Sequence, residues 1–231
     1  MDALVTVGGQ GKRLKRAGFR IPCTKSFIEV QGRPIVYWNI LSLHKADFRR
    51  VVFCADNREA IERVRAVVQQ TEIKDIEFSY VLDDGLGTAG LPFHFMNLFE
   101  RQFFFITGHS FLGPTHYRNM RKNASLSKIS VSTYCESEFA KNIRCGELKN
   151  GESFLGAEML PDRMIDYPYI VDKQYCNSLA MKEFSVLTTL RQYFAKNLIN
   201  FELSDLPVEI DEPEQFTPGM YAMNRAIASF F

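Results

Sequence analysis

Leu4-Val5-Thr6-Val7-Gly8-Gly9-Gln10-Gly11-Lys12-Arg13-Leu14 is the stretch on which the fold turns. The apolar run Leu4–Val7 ends in glycines, which predicts a buried strand breaking into a loop. Glycines let backbone N–H groups come close to a phosphate chain and take positive φ without cost. Arg13, and Lys25 farther on, supply positive charge for phosphate oxygens. A Walker A loop is excluded, because it needs Ser or Thr where this chain has Arg13, and a glycine where it has Thr6. The dinucleotide pattern fails as well, since Leu14 stands where its third glycine belongs. A plain glycine turn between strand and helix is the bland alternative. Arg13-Leu14 and the later Pro22-Cys23-Thr24-Lys25 favour phosphate binding over it.

Outward from this loop, strand and helix signals alternate. Phe27–Val30 is a second short apolar stretch, and Pro34 fits the first turn of a helix carrying Ile35, Trp38, Leu41 and Leu43. Val51–Cys54 reads as a strand. Asn57 reads as the cap of a helix with Ile61, Val64 and Val68 on one face. Then come a strand over Glu77–Leu82, a helix over Thr88–Leu98 and a buried strand over Phe103–Thr107. A helix over Tyr117–Ala124 and a strand over Ile129–Tyr134 complete this half. The order predicts an α/β fold: a Rossmann-like, doubly wound, mainly parallel sheet with right-handed crossovers. Ligands of such sheets sit beyond the carboxyl ends of the strands. Those ends carry Gly8–Gly11, Asp56-Asn57, Asp83–Gly87 and Gly108–Ser110, which should converge on one crevice.

From about residue 141 the pattern changes. Ile143–Leu148 and Phe154–Met159 flank Asn150-Gly151 and read as a hairpin. Helices over about 174–183 and 185–197, a strand near Ile199–Leu203, an acidic stretch and a final helix follow. The chain therefore reads as one domain, 1–231, with a nucleotide-binding half to about 135 and a small C-terminal hairpin and helical subdomain, the sugar side, from 136 on. Asp162-Arg163 and Asp166 read as exposed loop residues without a role.

Composition narrows the class. The chain has 231 residues, 46% of them hydrophobic, and its 20 Phe read as core filling. A net charge of +1 asks for neither nucleic acid nor an anionic membrane. Five cysteines with no Cys-x-x-Cys pair argue against a disulfide framework and a structural zinc site, and fit a reducing compartment. Met1-Asp2-Ala3-Leu4 lacks a basic leader, and no apolar run reaches the roughly 18 residues of a membrane span. These features predict an intact cytoplasmic protein.

Gly8-Gly9-x-Gly11-x-Arg13-Leu14, then Pro22-x-x-Lys25, then Val30-x-Gly32-x-Pro34-Ile35, resembles the N-terminal signature of sugar-1-phosphate nucleotidyltransferases, Rossmann-like enzymes of the glycosyltransferase-A type. Asp84-Gly85-Leu86-Gly87-Thr88-Ala89-Gly90 resembles a loop of the mannose- and heptose-1-phosphate guanylyltransferases; as a bare sequence it is also a helix start with Thr88 near the cap. Looser matches are Cys145-Gly146-Glu147-Leu148 with Asn150-Gly151 and Glu158, similar to the family's sugar-binding strand pair, and Val208–Phe216, similar to its second acidic motif. The resemblance covers nearly the whole chain.

It implies transfer of a nucleoside monophosphate from an NTP, GTP favoured, to a sugar-1-phosphate, giving a nucleotide-sugar and pyrophosphate. It gives Arg13 and Lys25 the catalytic roles of charge neutralisation, and nucleotide binding to Gly8, Gly9, Gly11, Asp84, Gly85 and Thr88. Gly146 and Glu158 would bind the sugar. Mg²⁺ (or Mn²⁺) would be held at Asp211 and His109, and a homodimer is implied. Two positions depart from the family. Gly108-His109 replaces the usual Gly-Asp after the central strand, and Met159 replaces the lysine of Glu-Lys-Pro. Imidazole is a poor ligand for hard Mg²⁺, so His109 meets a phosphate as a cation, faces a softer metal, or marks a site that has lost its ion, with Asp83 or Asp84 as the substitute acid. Asp211 lies in a run (Asp205, Glu209, Asp211, Glu212, Glu214) that also reads as a solvated acidic face. Two other readings stay open: a catalytically weak or inactive nucleotide-binding regulatory homologue, and a nucleotide-sugar glycosyltransferase, which ranks last because the chain lacks its Asp-x-Asp motif.

Overall fold

The computed structural model describes residues 1–83, 85, 91–92, 94–124, 129–135, 163–173, 198–202, 208–209, 213 and 216–231. A central sheet of seven strands organises them. In chain order these are β1 (Asp2–Thr6), β4 (Arg50–Ala55), β5 (Glu77–Leu82), β6 (Gln102–Thr107), β8 (Ile129–Cys135), β9 (Arg163–Asp172) and β10 (Leu198–Glu202). In space the order is β10-β8-β9-β6-β1-β4-β5. All neighbours run parallel except β9, which is antiparallel to β6 and β8. Two small ladders lie outside this sheet: β2 (Glu29–Val30) with β3 (Arg33–Pro34), and β7 (Ser110–Phe111) with β11 (Val208–Glu209).

The central strands are apolar throughout because both of their faces are covered. Ala3, Leu4 and Val5 in β1, Val51–Phe53 in β4 and Phe103–Ile106 in β6 are all buried. Helices α2 (Ile35–Lys45) and α3 (Arg58–Thr71) and the helix α4 (Pro114–Ala124) supply one side of the core through Val36, Ile40, Leu43, Ala60, Val64, Tyr117 and Met120. The short α1 (Lys12–Arg16) and the C-terminal α5 (Phe216–Phe230) meet in a second cluster of Leu14, Ile21, Ile35, Phe111, Met223 and Ile227. Phe19 stacks on Phe216 there at 4.4 Å between ring centres.

Asn57 caps α3 as expected, its Oδ1 accepting from Ala60 N at 2.8 Å. The buried stripe of α3 is Ala60, Ile61, Val64 and Val67, with Val68 half-buried. The apolar stretch 27–30 is only partly a strand: Lys25–Phe27 forms a 3-10 turn and the extended piece is Glu29–Val30. The expected helix over 88–98 is helical at 91–92 and 94–95 and ends in a 3-10 turn, Met96–Leu98; residues 86–90 and 93 lie outside the described residues. Arg163 and Asp166 are not in a loop. They belong to β9, paired along its length with β8 and β6, because tertiary ladder bonds override a polar sequence. The expected hairpin over 143–159 and the helices over 174–183 and 185–197 fall outside the described residues, whereas the strand near 199–203 is present as β10. Among the described residues no helix is long and apolar enough to cross a membrane.

Candidate active site

The sheet order β6-β1-β4-β5 sets four carboxyl ends side by side. Pairing continues just past the strands: Val7 N donates to Cys54 O at 2.8 Å, Gly108 N to Thr6 O at 2.7 Å and Asp83 N to Ala55 O at 2.7 Å. The segments that begin at Gly8, Asp56, Asp83 and Gly108 therefore leave the sheet along one edge, the ligand edge of this architecture.

The loop after β1 is made by conformations that glycine allows. Gly9 has φ 92° and Gly11 has φ 59°, both in the left-handed region. Gly11 caps α1 and accepts from Lys15 N at 2.9 Å. Helix α1 is five residues long with Leu14 buried, and it carries Lys12, Arg13, Lys15 and Arg16 with no acid in its first turn. Pairs three and four residues apart are then like-charged, and the positive helix end adds to the same sign. Arg13 is exposed on this helix.

Lys25 reaches the loop from below. Its side chain is 8% exposed. A Cβ on Gly11 would meet Lys25 Cγ at 3.2 Å, so the loop backbone lies on the lysine stem. Thr24 Oγ1 donates to Val7 O at 2.8 Å and ties the two segments together. The loop backbone at Gly11 is packed against this stem.

On the far side of β1, His109 is half-buried between the buried Gly108 and Ser110. A Cβ on Gly108 would come within 2.9 Å of Ser26 Oγ, Thr6 O and Val7 Cγ1, so only glycine fits this close approach of strand ends. Asn39 of α2 holds the turn from beneath, and Ser42 of the same helix holds the segment just after it. Asn39 Nδ2 donates to Gly108 O at 3.1 Å and to Ser110 O at 2.8 Å, and Ser42 Oγ donates to Leu112 O at 2.6 Å. The hydroxyls of Thr107 and Ser110 lie 2.6 Å apart. Ser110 is also in register with Glu209 across the β7–β11 ladder, so the chain that leads to Asp211 passes beside the His109 turn.

At the β5 end, Asp83 Oδ1 accepts from Gly85 N at 3.0 Å, and Gly85 has φ 86°. Next to it, Asp56 faces Gly8, where a Cβ would sit 3.2 Å from Asp56 Oδ1. Cys54 lies behind these groups. Burial, then the charges of Asp83 and Asp56, push its thiol up to about 12, so it is a protonated core residue and not a nucleophile.

Of the residues picked from sequence, Gly8, Gly9, Gly11, Arg13, Lys25, Gly85 and His109 belong to the strand-end segments along this edge. Asp84, Thr88, Gly146, Glu158 and Asp211 lie outside the described residues. The remaining histidines stand elsewhere: His44 pairs with Asp75 at 3.0 Å, His94 is exposed and His116 is buried in α4. Sequence reasoning missed Thr24, Ser26 and Asn39. Their signal was small polar residues in apolar surroundings, Thr24-Lys25-Ser26 before Phe27 and Asn39 within an apolar helix.

No family model and no curated protein matches the sequence. Solved structures match its backbone over nearly its whole length. HddC from Yersinia pseudotuberculosis, solved with GMP-PN, is 16% identical with a TM-score of 0.74, over 96% of this chain and 99% of that one. The inositol-1-phosphate CTP transferase from T. maritima is 20% identical with a TM-score of 0.72, over 98% and 95%. A UDP-glucose pyrophosphorylase, solved with UDP-glucose, is 15% identical with a TM-score of 0.70, over 97% and 98%. The mainly parallel α/β sheet expected from sequence is thus the fold these proteins share, and the resemblance read from the Gly8–Leu14 loop agrees with it.

Proposed function

We propose that this chain transfers a nucleoside monophosphate from an NTP to a sugar-1-phosphate and releases pyrophosphate. The observation that carries the reading is the contact of the Gly11 backbone with the Lys25 stem at the end of the central strand, with Arg13 on the helix that Gly11 caps. A sugar-phosphate oxygen attacks the α-phosphorus. The new P–O bond forms as the α–β bridging P–O bond breaks, and pyrophosphate leaves with the electron pair. The protein aligns two anions and neutralises charge. Loop N–H groups and Arg13 bind the β- and γ-phosphates, and Lys25 meets the charge that develops on the α-phosphate. Asp84, Gly85 and Thr88 contact the nucleotide, with GTP the favoured base on the strength of Leu86–Gly90. Gly146 and Glu158 take the sugar.

A divalent ion, Mg²⁺ or Mn²⁺, is part of this proposal, with Asp211 and His109 as its protein ligands. Among the described residues no three His, Cys, Asp or Glu side chains come together as a metal cage. Phosphate oxygens and Asp211 would hold such an ion, with Asp83 or Asp84 as the alternative carboxylate, and the His109 nitrogen suits Mn²⁺ better than Mg²⁺. No step above is assigned to the ion.

The test is pyrophosphate release with each NTP, either ion and a panel of sugar-1-phosphates, beside calorimetric NTP binding. Release with one pair supports the transferase. Tight NTP binding with no release from any pair overturns it and favours the second reading, a nucleotide-binding regulatory homologue, for which His109 in place of a carboxylate is the supporting observation.

A further inference from the structure

Asn39 lies in the middle of α2, on a helix whose other buried side chains include Ile35, Val36, Ile40 and Leu43, and is itself 1% exposed. An amide buried among aliphatic groups is unfavourable unless its hydrogen bonds are used. Here both bonds of Nδ2 go to the carbonyls of Gly108 and Ser110, at 3.1 and 2.8 Å, while the buried Oδ1 accepts none among the described residues. These two carbonyls belong to the Gly108–His109 and Ser110–Phe111 peptides, which bracket His109 and Ser110. The orientation of the amide is fixed by this pairing, because the reverse would press its oxygen against two carbonyl oxygens.

The same five-residue turn is held from other sides. Ser110 Oγ donates to Thr107 O at 3.1 Å, the β7–β11 ladder binds Ser110 and Phe111, and Gly108 is wedged against Thr6, Val7 and Ser26. Thr107, Gly108, Ser110 and Phe111 are buried, and only His109 turns part of its side chain outward. A backbone fixed on every side around one half-exposed imidazole is a mount for that side chain.

We infer that Asn39 is a positioning residue for His109. It touches no substrate. It fixes the peptide plane before His109 and the one after Ser110, so that the imidazole is presented at one angle at the end of β6, beside the segment that begins at Gly8. The kinetic part of this inference rests on the proposed transferase reading; the geometric part does not.

The test uses Asn39→Ala, with Ser42→Ala as a control that removes a neighbouring bond from the same helix to Leu112 O. Three readouts apply to the full chain: ¹⁵N-histidine NMR, with the His109 signal assigned by His109→Gln; thermal melting; and kcat and KM for pyrophosphate release. We expect Asn39→Ala to broaden or shift the His109 ring signal and leave those of His44, His94 and His116 in place. We expect kcat to fall about tenfold or more with the NTP KM within about twofold. Ser42→Ala should melt earlier yet keep both the His109 signal and kcat, which a merely structural role for Asn39 does not predict. Should Asn39→Ala fail to fold, Asn39→Ser, which keeps one hydroxyl donor, is judged by the same criteria. An unchanged His109 signal in the Asn39 variant, or an equal change in Ser42→Ala, overturns the inference. A wild-type protein that releases no pyrophosphate overturns the transferase reading instead, and the NMR result then decides the role of Asn39 by itself.

Discussion

Gly11 and Lys25 touch through a backbone that has no room for a side chain: the position of a Cβ on Gly11 lies 3.2 Å from Lys25 Cγ, at a φ of 59°. Gly11→Ala adds two costs. Left-handed φ costs an L-residue about 1–2 kcal/mol, and the lysine stem must give way by a few tenths of an ångström. The expected outcome is a loss of stability of about 1–2 kcal/mol, seen as a lower midpoint in urea, together with NTP affinity reduced about tenfold or more. Unchanged NTP affinity by calorimetry would remove this loop from the binding site.

Arg13 and Lys25 should separate in a way that their burial dictates. Each alanine variant is expected to lose about 2–3 kcal/mol of transition-state stabilisation, read from kcat/KM for pyrophosphate release. Arg13 is exposed on a five-residue helix, so Arg13→Ala should leave the melting temperature unchanged. Lys25 is 8% exposed and packed beneath Gly11, so Lys25→Ala should also alter stability. Lys25→Arg should not restore activity, because the broader guanidinium does not fit under the loop. Full turnover in either alanine variant would show that its charge is not used.

The glycine loop after β1 was legible because everything it needs is local. Glycines, cations and a preceding apolar run are adjacent in sequence, and β4 and β6 announce themselves by continuous apolar stretches. Strand β9 was not legible. Arg163-Met-Ile-Asp-Tyr-Pro-Tyr-Ile-Val-Asp172 carries charges and Pro168, signals of a loop, and it becomes a strand only because β6 and β8 lie on either side of it. The mount for His109 was hidden for the same reason. Asn39 and Gly108 are 69 positions apart, and nothing in the apolar periodicity of α2 says that Asn39 faces inward while Trp38 and Leu41 are only half-buried.

Gly113 and Phe230 form a second close fit, just beyond β7. A Cβ on Gly113 would overlap the Phe230 ring, which also faces Phe111 at 6.4 Å between centres. Gly113→Ala must push this ring aside and loosen the end of α5, where Lys45 Nζ donates to Phe230 O at 2.8 Å. Overpacking of this kind costs about 1–3 kcal/mol. Phe230→Ala should make the second substitution harmless. The double variant should thus be less destabilised than the sum of the singles by at least about 0.5 kcal/mol in denaturant titrations. Strict additivity would mean that the two residues do not meet in solution.

Cys54 predicts a pH dependence whose sign is fixed by its environment. Burial and the neighbouring charges of Asp83 and Asp56 raise its thiol from the ordinary 9.0 to about 12. The folded state therefore keeps a proton that the unfolded chain releases. This contribution is complete below pH 9, and it is lost as pH rises from 9 towards 12. Across that window each unit of pH should remove about 1.4 kcal/mol. Cys23 is raised in the same direction, by burial first and then by Glu59, so the difference between wild type and Cys54→Ala isolates the one group. We expect the wild type to lose stability more steeply than Cys54→Ala between pH 9 and 10, measured by urea unfolding, and Cys54 to react with thiol reagents only at the rate of unfolding. Parallel pH curves, or prompt labelling of Cys54 in the folded protein, would show that the thiol is not shielded behind the ends of β1 and β4.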